Sequence, residues 1–136
     1  ETILLDTGPL TAYYDRRDEH HAWAWETFSS LQPPFITCDA VLTETCFLLS
    51  RNGGDPLPVI QAVTIGLLKP TFEIGDESGA LETLMKRYAD TPMSLADACL
   101  VRLSELHKNC RVFTLDRHFK KYRRYGRSVI PVLSPW

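Results

Sequence analysis

The sequence predicts an α/β fold in which a mainly parallel sheet is covered by helices on both faces. Two observations carry this prediction. Short apolar runs alternate with longer stretches of helical periodicity along the whole chain, and strands separated by helices join as parallel neighbours. In addition, no repeat, low-complexity tract or linker interrupts the 136 residues, so they read as one domain, 1–136.

Thr2–Leu5 reads as the first strand and runs into Asp6-Thr7-Gly8-Pro9. Pro9 suits the first turn of a helix, because its missing N–H would have no partner there. A second helix over about 19–31 carries Trp23, Trp25 and Phe28 and stops at Pro33-Pro34. Phe35–Thr37 predicts a very short strand. The stretch 39–50 reads as a helix apolar on most sides, ended by Asn52-Gly53-Gly54. Asp55-Pro56 then caps and starts another helix, to about residue 68. A third strand is expected over 71–74, followed by helices over 76–88 and 94–107. Strands over 111–115 and 128–133 bring the sheet to four or five.

The 44% hydrophobic and 24% charged fractions are those of an ordinary globular domain. No apolar run approaches the roughly 20 residues that span a bilayer, and no basic start leads into an apolar stretch as in a signal peptide. The expectation is a cytoplasmic protein without a membrane partner. A net charge of −2 offers no general attraction to nucleic acid, so RNA binding would need a local basic patch. Cys38, Cys46, Cys99 and Cys110 form no C-x-x-C pair and have no histidine at finger-like spacing. That argues against zinc and for reduced, buried thiols.

In parallel sheets working residues gather at the carboxyl ends of the strands, which selects Asp6 and Asp116. Either would serve equally as a helix N-cap. Glu44 lies mid-helix, one turn from Ala40, Val41, Phe47 and Leu48; on so apolar a helix its charge needs a metal or a partner such as Arg51. Ser94-Leu95-Ala96-Asp97 fits a capping box, and Ala96 and Ala98 are expected to leave space around the Asp97 carboxylate. The four acids matter together. Two carboxylates about 4 Å apart repel by about 4 kcal/mol at an effective dielectric near 20, so such a cluster takes up protons or holds divalent cations. Oxygen-only ligation favours Mg2+ or Mn2+ over zinc. Without a nucleophilic Ser or Cys arrangement, it suits phosphodiester hydrolysis by a metal-activated water.

These residues resemble the PIN-domain pattern. Leu4-Leu5-Asp6-Thr7-Gly8-Pro9-Leu10 is similar to its first motif, and Leu42-Thr43-Glu44-Thr45 to its helical glutamate. Met93-Ser94-Leu95-Ala96-Asp97-Ala98 is similar to its third, and Phe113-Thr114-Leu115-Asp116-Arg117-His118-Phe119 to its fourth. The resemblance covers nearly the whole chain and implies a three-layer α/β/α fold with an acidic pocket for one or two Mg2+ or Mn2+ ions. It further implies endoribonuclease activity, a homodimer and, as in many bacterial VapC-type toxins, a small antitoxin partner. Carried over, Asp6 and Asp97 would ligate metal directly, and Glu44 and Asp116 would complete the cage directly or through water. These four form the expected catalytic set. Thr7 and Thr114 are similar to hydroxyl residues that flank the acids and bond to metal-bound water or to an acid. Attack by water would leave 5′-phosphate and 3′-hydroxyl ends.

The stretch 117–127 is the most basic. Arg117, Lys120, Lys121, Arg123 and Arg124 could lead RNA phosphates to the acids, with tyrosines for base stacking; a solvated surface turn is the alternative. His20-His21 reads as a helix start rather than a metal site. Trp23, Trp25 and Phe28 suit packing or a subunit contact. Two other functions compete. Leu4-Leu5-Asp6-Thr7-Gly8 also resembles an aspartic-protease signature, against which the long helical patterns stand. A non-catalytic RNA- or partner-binding regulatory module would carry the same motifs without cleaving RNA.

Overall fold

Leu4, Leu5, Val112 and Phe113 are completely buried, as strands must be when both faces of their sheet are covered. A computed structural model describes residues 1–136. Chain order runs β1 (Thr2–Leu5), α1 (Thr7–Tyr14), α2 (His21–Ser30), β2 (Phe35–Thr37), α3 (Asp39–Arg51), α4 (Leu57–Thr64) and β3 (Leu68–Pro70). It continues through α5 (Ile74–Arg87), α6 (Leu95–Leu106), β4 (Cys110–Phe113), a 3-10 turn over Arg117–Lys120, β5 (Arg123–Arg124), β6 (Ser128–Val129) and β7 (Val132–Leu133). Five of the strands make one sheet in the order β3-β2-β1-β4-β7, with every pair parallel. Helices flank this sheet in a three-layer α/β/α arrangement, which removes the aspartic-protease reading.

Packing follows from the apolar faces. Trp23 and Phe28 of α2 lie on Phe113, with ring centroids 5.4 and 4.7 Å away. Trp25 faces outward and stacks on Tyr13 at 5.1 Å. α6 is the most deeply set helix; Ala98, Cys99, Leu100 and Val101 are wholly enclosed. Cys38, Cys99 and Cys110 are buried free thiols and Cys46 is half-buried. No helix is long and apolar enough to cross a membrane.

Three expectations need correction. The third strand is Leu68–Pro70 rather than 71–74. α4 ends at Thr64 and Gly66, at φ 84°, turns the chain, so that Phe35 pairs with Leu68. Pro70 is tolerated because β3 is an edge strand. The segment 128–133 is not one strand: Ser128–Val129 folds back on Arg123–Arg124 as a small antiparallel pair, and only Val132–Leu133 joins the sheet, beside β4. Finally, α3 is not apolar on most sides. Its core face is Val41, Leu42, Thr45 and Leu49, whereas Glu44 is exposed and Phe47 is 61% exposed.

Candidate active site

The register of β1 on β4 builds the first half of the site. Leu5 pairs with Phe113, and the Asp6 N–H continues the ladder to the Phe113 carbonyl at 3.0 Å. Asp6 and Thr114 therefore leave the carboxyl edge side by side. The Thr114 hydroxyl donates to Asp6 Oδ2 at 2.6 Å and accepts from the Asp116 N–H at 2.9 Å. Asp6 Oδ1 accepts from the Thr7 N–H at 2.7 Å, and the Thr7 hydroxyl donates to Glu44 Oε2 at 3.2 Å. Glu44 is thus held by Thr7, not by Arg51. Gly8 makes the close approach possible: a Cβ there would stand 3.0 Å from Leu115 Cβ, next to Asp116.

The second half comes from α6 and the 3-10 turn. Ser94 and Asp97 form a complete capping box, with the Asp97 N–H on the Ser94 hydroxyl at 3.0 Å and the Ser94 N–H on Asp97 Oδ2 at 3.3 Å. The Tyr122 hydroxyl donates to the same Oδ2 at 2.9 Å. Asp116 caps the 3-10 turn, its Oδ1 accepting from the His118 N–H at 2.9 Å and lying 2.7 Å from His118 Nδ1. Capping and site membership are therefore not alternatives. For Asp97 and Asp116 the local bonds occupy one carboxylate oxygen and fix its orientation while the other stays without a protein partner.

All four acids line one open pocket of about 870 Å³, together with Thr7, Ser94, Arg117, His118 and Lys121. Burial pushes the Asp6 carboxyl up to about 7; the Thr114 and Thr7 hydrogen bonds oppose this, and the Asp97 and Asp116 charges add to it. Burial also raises Asp97, against the Tyr122 and Ser94 bonds and with the Asp116 charge. Asp6 thus feels the charges of Asp97 and Asp116, and Asp97 that of Asp116. No three acid, histidine or cysteine side chains stand close enough, as they lie, to cage an ion; like charges across an open pocket have no reason to close up. The donor set still fits a hard cation: it is all oxygen, partly desolvated, and its repulsion is what a divalent ion would relieve. A smaller pocket of about 200 Å³ beside Tyr13, Tyr14, Phe28 and Leu68 is apolar and holds no such cluster.

The PIN-domain family model matches residues 3–125. The chain belongs to the PIN-domain family. One relative of this PIN domain, Ribonuclease VapC26 of Mycobacterium tuberculosis (strain ATCC 25618 / H37Rv), is 28% identical over 130 residues, covering 91% of this chain and 94% of its own. Among solved structures, the crystal structure of Mycobacterium tuberculosis VapC20, described as a Sarcin-Ricin loop cleaving toxin, superposes with a TM-score of 0.74. The match covers 85% of this chain and 90% of that one at 20% identity, a likeness of fold.

Within this PIN domain the basic residues divide. Arg117 and Lys121 line the acidic pocket, and the Arg117 guanidinium sits 4.4 Å from the Trp136 ring. Lys120 is exposed and outside the pocket lining. Arg123 instead donates to the carbonyls of Lys120, Lys121 and Tyr122. Arg124 donates to those of Ser104 and Lys108. Tyr122 is fully buried and cannot stack on a base, which leaves Tyr125. Ala96 and Ala98 are core residues; the space beside Asp97 lies instead at Pro92 and Ser94. His118 lines the pocket and Tyr122 bonds to Asp97; the sequence offers His118 only as a member of the fourth motif, and Tyr122 only as a tyrosine for base stacking, with neither assigned to the acids. Phe119 and Tyr122, three residues apart inside a charged run, are the one sign in the sequence of a buried face there.

Proposed function

We propose that this chain is a divalent-metal-dependent endoribonuclease of the VapC type, with residues 1–136 acting as one catalytic unit. The observation that carries the reading is the common pocket reached by Asp6, Glu44, Asp97 and Asp116 from four separate parts of the chain. PIN-domain membership and the ribonuclease name of the VapC26 relative support it. Asp6 and Asp97 would hold Mg2+ or Mn2+ directly, with Glu44 and Asp116 directly or through water. Thr7 and Thr114 fix Glu44 and Asp6 through their hydroxyls. When bound, the cation acidifies water and neutralises charge on the phosphate oxygens. The chain's own residues orient the carboxylates and bring RNA to them in the cytoplasm. A small antitoxin and a second copy of the chain are the proposed protein partners; Leu57, Ile60, Ile65 and Leu67, all exposed, offer apolar surface for such contacts.

The test is cleavage of RNA in Mg2+ or Mn2+, stopped by EDTA and restored by excess cation. Asp97→Asn protein that still folds should cleave at least about a hundredfold more slowly, since altering even a supporting group costs a metal site up to that much. RNA bound but never cut would favour the regulatory module; cleavage persisting in Asp97→Asn would reject the site.

Arg117 and Lys121 are the proposed phosphate-binding cations. Replacing both with Gln should weaken single-stranded RNA binding and reduce its log–log salt slope by about 0.7 for each phosphate that is no longer neutralised. An unchanged slope in a binding titration would remove them from the RNA path.

A further inference from the structure

We propose that Tyr122 is a positioning residue of the acidic centre, its hydroxyl holding one oxygen of Asp97 so that the other is presented to the pocket. This rests on the nuclease reading and extends it to a side chain outside the acid set. A tyrosine hydroxyl has one proton to give. Here it has two acceptors, Asp97 Oδ2 at 2.9 Å and the Pro92 carbonyl at 3.4 Å. The nearer, charged oxygen forms the stronger bond. With the Ser94 N–H on the same atom, Oδ2 is doubly engaged. Oδ1 has no hydrogen-bond partner and is not among the enclosed, unsatisfied polar atoms, so it opens to the pocket that Asp97 lines.

The phenol itself has little freedom. Its ring is fully buried and packs edge-on against Phe119 at 5.3 Å and Tyr88 at 5.1 Å, with the His118 imidazole at 6.3 Å and nearly parallel. His118 in turn contacts Asp116. Tyr122 therefore ties the carboxylate on α6 to the turn that carries Asp116. A carboxylate held at one oxygen meets a cation in one orientation, without first losing rotational freedom.

Tyr122→Phe removes the hydroxyl and keeps the ring. Tyr88→Phe is the matched control: it belongs to the same aromatic cluster, but its hydroxyl accepts from the Arg123 N–H and reaches no acid. Mn2+ binding without RNA is followed by the electron paramagnetic resonance signal of the free ion, thermal melting in EDTA monitors the fold, and kcat and KM are measured on RNA. Tyr122→Phe should bind Mn2+ about tenfold more weakly and lose kcat to a similar degree at unchanged KM, while Tyr88→Phe matches wild type. Equal weakening in both variants, no weakening in either, or a Tyr122→Phe protein that does not fold would each overturn the positioning role in favour of packing alone. Wild-type protein that binds no Mn2+ would overturn the metal reading itself, and the inference with it.

Discussion

Asp6→Asn is expected to abolish RNA cleavage and, in EDTA at pH 8, to melt at a higher temperature than wild type. Both effects come from one carboxylate. Asp6 is buried and its pKa is raised to about 7, against about 3.9 in an unfolded chain. An acid whose folded pKa is raised favours the native state while it is protonated. Its contribution is complete below about pH 4 and is lost as pH rises through 7, up to about 4 kcal/mol in all. Asparagine cannot ionise and escapes this loss, so the two proteins should melt alike at pH 4 and lie on the order of ten degrees apart at pH 8, with most of the gap open by pH 7. Added Mg2+ should raise wild-type stability at pH 8 and leave Asp6→Asn nearly unchanged. Parallel melting curves at both pH values would show that Asp6 is not strained by charge, and cleavage by the variant would remove it from the centre.

Phe119→Ala should give the largest loss of stability, about 3–5 kcal/mol, the range for emptying a buried aromatic site. Phe119 is fully enclosed in the 3-10 turn and packs against Tyr122. Asp116 caps this same turn. The cavity would therefore loosen Asp116 and His118 together, and cleavage should drop even at temperatures where the variant is still folded. Urea unfolding should show a lower midpoint at an unchanged slope. A loss below about 1 kcal/mol would mean that the site collapses around the missing ring at little cost.

The strand-end rule is enough to find Asp6 and Asp116, because β1 and β4 are buried and their limits show in the apolar pattern. Glu44 reaches the pocket for a different reason from the one its helix suggests: its face is exposed, and the Thr7 hydroxyl rather than a low-dielectric surround holds it. The location of β3 is hidden by the turn at Gly66, and β7 has too few residues for alternation to be visible. Arg123 and Arg124 look like free cations by composition. Their acceptors are backbone carbonyls, which no side-chain pattern reveals. Tyr122 is equally hard to place from sequence, since its bond to Asp97 crosses 25 residues of chain.

β4 is the penultimate strand of the sheet in chain order but lies directly against β1, the first. During synthesis the amino-terminal strand would leave the ribosome with one long edge unclaimed until residues 110–113 follow. Asp6 would acquire its Thr114 bond only then. A nascent chain released early would carry three of the four acids at most and no seat for Asp6, so under the proposed function a truncated product should not cleave RNA.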